Sequence, residues 1–262
     1  MLSRVQELQQ LFILGCLPAG KLFPSTEALV ELERMQTVSV NKTTDKRTLL
    51  SSFNIRSQEK NFIHLMKNVD IRTAEVICLQ ETWLKPGDAV GTFVMDGFTS
   101  HFNSRGRGTG IVTYFPQAFT FSMDIKHARY QMTKIISEYL EIVNVYRSSD
   151  APATFLSDLQ TLLNPAKLTY IAGDFNICYL TNKQHKVIQH LEACGFRQVV
   201  TSATHTEGHL LDHFYSNSPT DDINVKQESL YFSDHDVLLA KVINPIAGAQ
   251  HTACHFVSSP ES

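Results

Sequence analysis

The sequence predicts an α/β fold built on a mixed sheet, or on two packed sheets with helices outside them. Short apolar runs rich in β-branched and aromatic residues alternate with amphipathic segments of helical period. Helices separate only some of the strand-like runs, so several strands follow one another directly. A chain of 262 residues with 43% hydrophobic content is suited to one domain with a large core.

The first half of the domain is predicted to be mainly β-structure. Residues Gln58–Val69 form the predicted helix, because Phe62, Leu65 and Met66 fall on one face. The other apolar runs are short and bounded by turn residues, as strands are. These predicted strands are Thr48–Phe53, Val76–Leu79, Thr109–Phe115, Phe119–Met123, Tyr130–Ile136 and Tyr139–Tyr146.

The second half alternates between helices and strands. Helices are predicted over Ala153–Leu163 and over Asn182–Ala193, and Gly195 closes the second of them. The apolar runs around them predict strands at Thr169–Ala172, His209–Ser216, Val225–Tyr231 and Val237–Ile243. We expect residues 47–245 to be the folded domain, residues 1–46 a partly helical N-terminal extension, and residues 246–262 a disordered tail.

Charge and cysteine content limit the classes of function. The net charge of −3 is not that of a strongly basic nucleic-acid-binding domain, although a local basic face remains compatible with it. The five cysteines are odd in number and lack metal-ligand spacing, which favours an intracellular protein, nuclear or cytoplasmic. No apolar run approaches the roughly 18 residues needed to span a bilayer, so no membrane partner is expected.

Polar residues stand where apolar, strand-like runs end, and this is the most informative pattern in the chain. Strand ends of open α/β folds collect ligand-binding groups on a rigid scaffold. Amide, carboxylate, hydroxyl and imidazole groups are all represented at these ends. The residues are Asn54, Glu81, Tyr146, Asp174, Asn176, Asp212, Asp234 and His235.

This set of side chains is suited to metal-assisted cleavage of a phosphate ester. Glu81 is the best candidate ligand for Mg²⁺, since this ion takes one or two carboxylates and keeps several waters. Asp174 can take a proton from water, and Asn176 can donate to a phosphate oxygen. Each residue alone also has an ordinary interpretation: a helix start for Glu81, and a turn with side-chain caps for Asp174 and Asn176.

The remaining members support the same chemistry. His235 can donate to the anion, and Asp212 can fix its tautomer. Asn54 can orient Asp174 or a metal shell, and Tyr146 can hydrogen-bond a phosphate oxygen. Singly, each also has an ordinary interpretation: a surface turn for His235, an edge amide for Asn54 and a half-buried strand tyrosine for Tyr146. The ordered combination is what makes the functional interpretation specific.

In this order, the motifs resemble those of the endonuclease/exonuclease/phosphatase superfamily. The motifs are Phe53-Asn54, Leu79-Gln80-Glu81-Thr82, Asn144-Val145-Tyr146, Gly173-Asp174-Phe175-Asn176, Leu211-Asp212-His213 and Ser233-Asp234-His235. The resemblance extends from about Leu49 to Ile243. Within the superfamily, the segments Ser52–Ser57 and Thr204–Asn217 are most similar to the endonuclease domain of non-LTR (LINE-type) retrotransposons.

The resemblance implies a four-layer α/β sandwich of the deoxyribonuclease I type, in which two mixed sheets pack face to face between outer helices. It implies Glu81 and Asn54 at a Mg²⁺ site, with Mn²⁺ as the alternative ion, and Asp234 in or beside that site. It also implies Asp174 as base and His235 oriented by Asp212. Two segments depart from relatives: Arg56 replaces an acidic residue of abasic-site endonucleases, and Arg147 and Ser149 stand where many relatives have Pro-Asn.

The leading hypothesis is therefore a monomeric, metal-dependent DNA endonuclease. Arg147 or Ser149 would contact the substrate, and a basic surface would bind the DNA backbone. This expected basic surface comprises Arg105, Arg107, Lys126, Arg129 and Lys134, for which ordinary solvated charge is an equally good interpretation. Two alternatives remain: an inositol- or lipid-phosphate phosphatase of the same fold, and a non-catalytic interaction module that binds a protein partner through residues 1–46.

Overall fold

Two six-stranded sheets form the centre of the fold. The computed structural model describes residues 47–164, 166–219 and 223–243. The first sheet has the order β11-β12-β1-β2-β4-β3. Its strands are β1 (Arg47–Asn54), β2 (Val76–Gln80), β3 (Thr99–Asn103), β4 (Ile111–Phe115), β11 (Asn224–Glu228) and β12 (Val237–Ile243).

The second sheet has the order β5-β6-β7-β8-β10-β9. Its strands are β5 (Thr120–His127), β6 (Tyr130–Ile136), β7 (Leu140–Arg147), β8 (Leu168–Asp174), β9 (Arg197–Gln198) and β10 (Asp212–Ser216). The described helices are α1 (Gln58–Lys67), α2 (Val69–Arg72), α3 (Thr154–Leu162), α4 (Lys186–Ala193) and a 3₁₀ turn at Val90–Phe93.

Three hydrophobic clusters show that the sheets and helices form four layers. One cluster joins the facing sides of the two sheets and includes Leu50 and Leu238 from the first sheet with Ile142 and Phe214 from the second. A second cluster packs α3 and α4 against the outer side of the second sheet. A third covers the outer side of the first sheet, where Leu65 of α1 is fully buried. The expected four-layer sandwich is confirmed.

The strand pairing brings the ends of several strands to one edge of the sandwich. β1 and β2 are parallel, with Asn54 opposite Gln80, and β7 and β8 are parallel, with Tyr146 opposite Asp174. β10 runs antiparallel to β8, so its first residue, Asp212, lies opposite Asp174. β12 starts beside the end of β1. Both sheets therefore present their polar strand ends at the same edge.

The element boundaries differ from the predicted ones in instructive places. The strand Thr99–Asn103 was not predicted from the sequence, although it pairs with β4 as an edge strand. The first helix ends at Lys67, because Asn68 is extended and caps the next turn by accepting from the Ile71 N–H. The expected extension over residues 1–46 and tail over 246–262 lie outside the described residues. Among the helices that the structure describes, none is long and apolar enough to cross a bilayer.

Candidate active site

The polar strand ends converge on one buried group of side chains. Asn54, Asp174 and Asp212 are fully buried, and His235 is 6% exposed. Their hydrogen bonds connect β1, β8, β10 and the turn before β12, which are elements of both sheets. Buried polar groups at the edge of a two-sheet core need partners, and here they are partners of one another. The structure thus brings three predicted catalytic residues together with Asn54, which the sequence predicts to orient Asp174 or the metal shell.

Asp174 lies at the centre of this group. Its Oδ2 accepts from Asn54 Nδ2 at 3.0 Å and from Asn176 Nδ2 at 3.0 Å, and its Oδ1 accepts from the Asn176 backbone N–H at 2.9 Å. Burial, together with the negative charges of Asp212 and Glu81, raises the pKa of Asp174 to about 7. A carboxylate with this pKa is suited to accept a proton near neutral pH.

Asp212 and His235 form a hydrogen-bonded pair beside it. The Asp212 Oδ2 lies 2.8 Å from His235 Nδ1 and accepts a second bond from Thr204 Oγ1 at 2.7 Å. Burial alone would lower the pKa of His235, but the charge and hydrogen bond of Asp212, with the charges of Asp174 and Asp234, outweigh it and raise the pKa to about 9. The imidazole is therefore a cation at neutral pH.

Glu81 follows β2 and remains partly exposed. Its Oε2 accepts from Trp83 Nε1 at 3.0 Å. Glu81 has a φ of 52°, a left-handed conformation that is uncommon for a non-glycine residue. In the described part of the chain, all non-glycine residues with positive φ lie just beyond the ends of β1, β2 and β8: Arg56, Ser57, Glu81, Trp83 and Asn176. Such conformations concentrate at functional sites, because the surrounding structure must impose them.

The oxygen atoms at and around Glu81 are suitable ligands for a hard divalent cation. The carboxylate of Glu81 and the Asn54 Oδ1, which accepts from the Arg56 backbone N–H, are oxygen ligands of the kind that Mg²⁺ prefers. The Asp212 Oδ1 is buried without a hydrogen-bond partner in the described structure. Its negative charge and that of Glu81 both raise the pKa of Asp174. A cation at this edge would relieve that repulsion.

Asp234 lies next to this site but already has two protein partners. It forms an ion pair with Arg56, and the His205 Nε2 lies 3.3 Å from Asp234 Oδ2. Ligand atoms of His205, Asp234 and His235 all lie within 4.8 Å of one another. The expected place of Asp234 in or beside a metal shell stays a prediction. The sequence did not predict that Arg56 and His205 contact Asp234, because neither residue is close to Asp234 in sequence.

The remaining substrate-contact candidates occupy different environments. Tyr146 is 4% exposed, and its hydroxyl donates to the Gly108 carbonyl at 2.8 Å. Arg147 is 5% exposed and donates to the Phe175 carbonyl at 3.2 Å. Because Arg147 is buried, it is better placed to support the turn that follows β8 than to make the substrate contact that the sequence suggested. Ser149 is exposed just beyond β7.

Only part of the expected basic surface exists as predicted. Lys134 is 8% exposed and pairs with Glu141 at 2.6 Å, so its assignment to that surface is wrong. Its position on a strand that is buried along most of its length explains the error. Lys126 pairs with Asp124 and Arg129 with Asp150, at 3.1 and 3.2 Å. Arg105 and Arg107 are exposed, and the Arg107 guanidinium lies 5.7 Å from the centre of the Trp83 ring.

A network of polar side chains connects the two sheets. Gln80 Nε2 donates to Asn144 Oδ1 at 2.8 Å, and Asn144 Nδ2 donates to Thr113 Oγ1 at 3.0 Å. Gln80 and Thr113 belong to the first sheet and Asn144 to the second, so these bonds fix the position of one sheet against the other. Amides inside otherwise apolar strands were the available signal for this network.

Solved structures with the same fold include proteins that act on nucleic acids. The endonuclease domain of TRAS1, a telomere-specific non-LTR retrotransposon, superposes with a TM-score of 0.58 at 15% identity, covering 76% of this chain and 99% of that chain. An AP endonuclease from Archaeoglobus fulgidus gives 0.57 at 17% identity, covering 74% and 99%. The human Nocturnin catalytic domain gives 0.54 at 14% identity, covering 76% and 94%. These identities establish likeness of fold.

The family assignment comes from the sequence itself. A comparison with the curated proteins gave no match. A family model described as "Endonuclease/Exonuclease/phosphatase family" matches residues 51–235. This span includes every strand-end residue of the site, from Asn54 to His235, and covers well over half of the chain. The chain therefore belongs to the Endonuclease/Exonuclease/phosphatase family.

Proposed function

We propose that this protein is a divalent-metal-dependent phosphodiesterase that nicks DNA, derived from a non-LTR retrotransposon endonuclease. The observation that carries the proposal is the buried Asp174 with a raised pKa, adjacent to a histidine that Asp212 keeps charged. A base and a cation held next to each other suit in-line attack on an anionic phosphate. The likeness in fold to the TRAS1 endonuclease domain and to the AP endonuclease from Archaeoglobus fulgidus supports DNA as substrate.

In this proposal each side chain has a defined task. Asp174 accepts the proton of the attacking water, and Asn54 and Asn176 fix its carboxylate through three donated bonds. The charged His235 donates from Nε2 to a phosphate oxygen, since its Nδ1 is held by Asp212. A Mg²⁺ ion held by Glu81 and Asn54, when bound, would offset phosphate charge and stabilise the leaving oxygen. Mn²⁺ is the alternative ion for the same oxygen ligands.

A nicking assay with supercoiled plasmid tests the proposal. The full chain should convert supercoiled to open circular DNA with Mg²⁺ and stop when EDTA is added. Glu81→Gln should lose most of the activity, because it keeps the shape of the side chain but removes the charge. Glu138→Gln is the matched control, since Glu138 is exposed in the turn that precedes β7, at the far end of that strand.

Two outcomes would contradict this function. Cleavage by Glu81→Gln at the wild-type rate would remove Glu81 from the metal site. Release of phosphate from inositol phosphates, without any nicking of plasmid, would assign the protein to the phosphatases of the same fold. In both cases, circular dichroism must show that the variant and wild-type chains are equally folded.

A further inference from the structure

A cleft adjoins the active site on the side of β1 and the loop before β12. It has a volume of about 510 Å³, within the range of roughly 300–1,000 Å³ that is typical of ligand pockets. Its lining includes Arg56, Lys60, Trp83, Tyr231 and Asp234. Trp83 is two positions after Glu81, and Asp234 directly precedes His235. A ligand in this cleft therefore lies beside the reacting phosphate.

One aromatic residue of the lining is unusually exposed. Tyr231 is 80% exposed, the largest exposed fraction among the large hydrophobic residues that the structure describes. It is nevertheless held in place: its hydroxyl lies 2.6 Å from His64 Nδ1, and its ring meets that of Phe232 edge-on at 5.2 Å. A fixed aromatic ring open to solvent is a surface on which another flat ring can stack.

Trp83 offers a second aromatic group in the same cleft. Its Nε1 donates to Glu81, and its φ of 61° imposes a left-handed backbone. A tryptophan in this conformation is held by its surroundings at a cost in free energy. The bond to Glu81 couples the position of the indole to that of the proposed metal ligand.

The charged lining selects an anionic ligand. Lys60 and Arg56 are exposed cations at the cleft. Arg56 is paired with Asp234, whereas no described acidic residue forms an ion pair with Lys60. A ligand with a flat apolar ring and a negative charge satisfies both parts of the lining. A nucleotide has this chemistry, and in DNA it is covalently attached to the phosphate at the active site.

We propose that this cleft binds a single unstacked nucleotide of the DNA, adjacent to the scissile phosphate, by stacking its base on Tyr231 and pairing its phosphate with Lys60. The inference rests on the proposed function for the identity of the polymer. It adds that the enzyme selects sites at which a base can leave the helical stack. Unstacking costs a few kcal/mol in duplex DNA and less at mismatched or single-stranded positions, so nicking should favour the latter.

The test measures binding without cleavage. The full chain is titrated in EDTA with a short single-stranded oligonucleotide that carries one 2-aminopurine, whose fluorescence falls when the base stacks. Wild-type protein should quench the probe, and Tyr231→Ala should raise its Kd roughly 5- to 150-fold, the range for loss of one stacked base. Phe121→Ala is the matched control, because Phe121 is an aromatic residue 43% exposed on β5.

A second arm separates base stacking from general weakening. An oligonucleotide with an abasic analogue in place of 2-aminopurine is followed by fluorescence anisotropy. It should bind wild-type protein as weakly as the 2-aminopurine oligonucleotide binds Tyr231→Ala. The abasic oligonucleotide should bind wild-type protein and Tyr231→Ala equally. The proposal is overturned if the abasic probe binds wild-type protein as tightly as the probe with a base, or if Phe121→Ala weakens binding as much as Tyr231→Ala. Loss of nicking with intact quenching would refute the proposed function alone.

Discussion

Asp212 and His235 illustrate how single residues set the chemistry of this site. The Asp212 side chain is 1% exposed, and its hydrogen bond at 2.8 Å keeps the buried imidazole charged. We predict that Asp212→Asn and His235→Ala each lower kcat for nicking by at least about 10²-fold, less than the roughly 10⁴-fold seen when the orienting aspartate of a serine protease is removed. The reason for the smaller loss is that the metal ion also offsets phosphate charge.

The double variant decides whether the two residues act as one unit. Groups that act together show non-additive losses, so Asp212→Asn combined with His235→Ala should be little slower than the slower single variant. Single-turnover nicking rates with saturating Mg²⁺ provide the measurement. Losses that multiply would mean that the two side chains work independently and that the pairing has no role in catalysis.

The pH dependence of the rate follows from two raised pKa values. Asp174 must be ionised to act as a base, and its pKa is raised to about 7, so activity should increase as pH rises toward this value. A bound cation lowers the pKa of Asp174 and shifts this rising limb to lower pH. His235 must stay protonated, and its pKa is raised to about 9, so activity should fall as pH rises through this value.

This bell-shaped profile is measured as kcat/KM between about pH 5 and pH 10. The residual activity of His235→Ala should keep the rising limb and lose the falling one. A wild-type rate that stays constant through pH 10 would contradict a charged His235, provided that Mg²⁺ remains soluble. The profile therefore tests the protonation states and not merely the presence of the two residues.

At this scale the sequence predicted which residues meet but not all of their partners. Asp174, Asn176, Asp212 and His235 were found because each has a polar group with no evident structural task beside an apolar strand. Asp234 was also predicted at the site, but its ion pair with Arg56, which is 178 positions away, was not. Pairing over such a separation depends on the three-dimensional arrangement, which periodicity does not encode.

Among the elements, β8 depends most on a single glycine. Gly173 has a φ of 146°, and a Cβ built on it would lie 1.9 Å from the Val145 carbonyl oxygen of the neighbouring strand β7. We predict that Gly173→Ala separates β7 from β8 and displaces Asp174. The expected cost is roughly 2–4 kcal/mol of unfolding free energy from overpacking and backbone strain. Nicking should be lost even below the unfolding temperature.

Urea unfolding and nicking assays of the same preparations check this prediction. Gly91→Ala is the matched control, because no atom lies within 4 Å of a Cβ at that position and its φ is not in the left-handed region. Equal stability of the two variants would show that β7 can move away from β8 without cost. The close approach would then have no part in holding Asp174.

Elements were predicted well where burial is continuous. β6 and β12 have the predicted bounds, because their apolar residues are packed on both sides or bounded by clear turns. The strand Thr99–Asn103 was missed, since four of its five residues are exposed or half-buried and its composition is largely polar. Its position is determined by hydrogen bonds to β4, which are tertiary interactions.

For the whole molecule, the local pattern left two architectures open, and only the family resemblance distinguished them. Apolar strands of similar composition occur in both sheets, so composition does not show to which sheet a strand belongs. The order β11-β12-β1-β2-β4-β3 places the last two strands that the structure describes, β11 and β12, on the side of β1, the first described strand. This pairing also brings His235 next to the end of β1, so the complete site exists only in the folded domain.

The charge distribution of the whole molecule yields the last prediction. The net charge is −3, and Lys126, Arg129 and Lys134 are paired with acidic residues. Exposed Arg105 and Arg107 precede β4 in the loop that bonds to Thr82 and Trp83, next to Glu81. DNA affinity should therefore depend on these two arginines, which release counterions when they contact phosphates.

Each phosphate contact contributes about 0.9 to the slope of log K against log salt concentration for duplex DNA. Arg105→Ala combined with Arg107→Ala should therefore reduce this slope by roughly 2, measured by fluorescence anisotropy in EDTA from about 50 to about 200 mM salt. Lys126→Ala combined with Arg129→Ala is the matched control: it removes the same charge from cations that already have carboxylate partners, and it should change the slope less. Equal changes in the two double variants would mean that DNA responds to total charge, and an unchanged slope in the arginine pair would place the backbone contacts elsewhere on the domain.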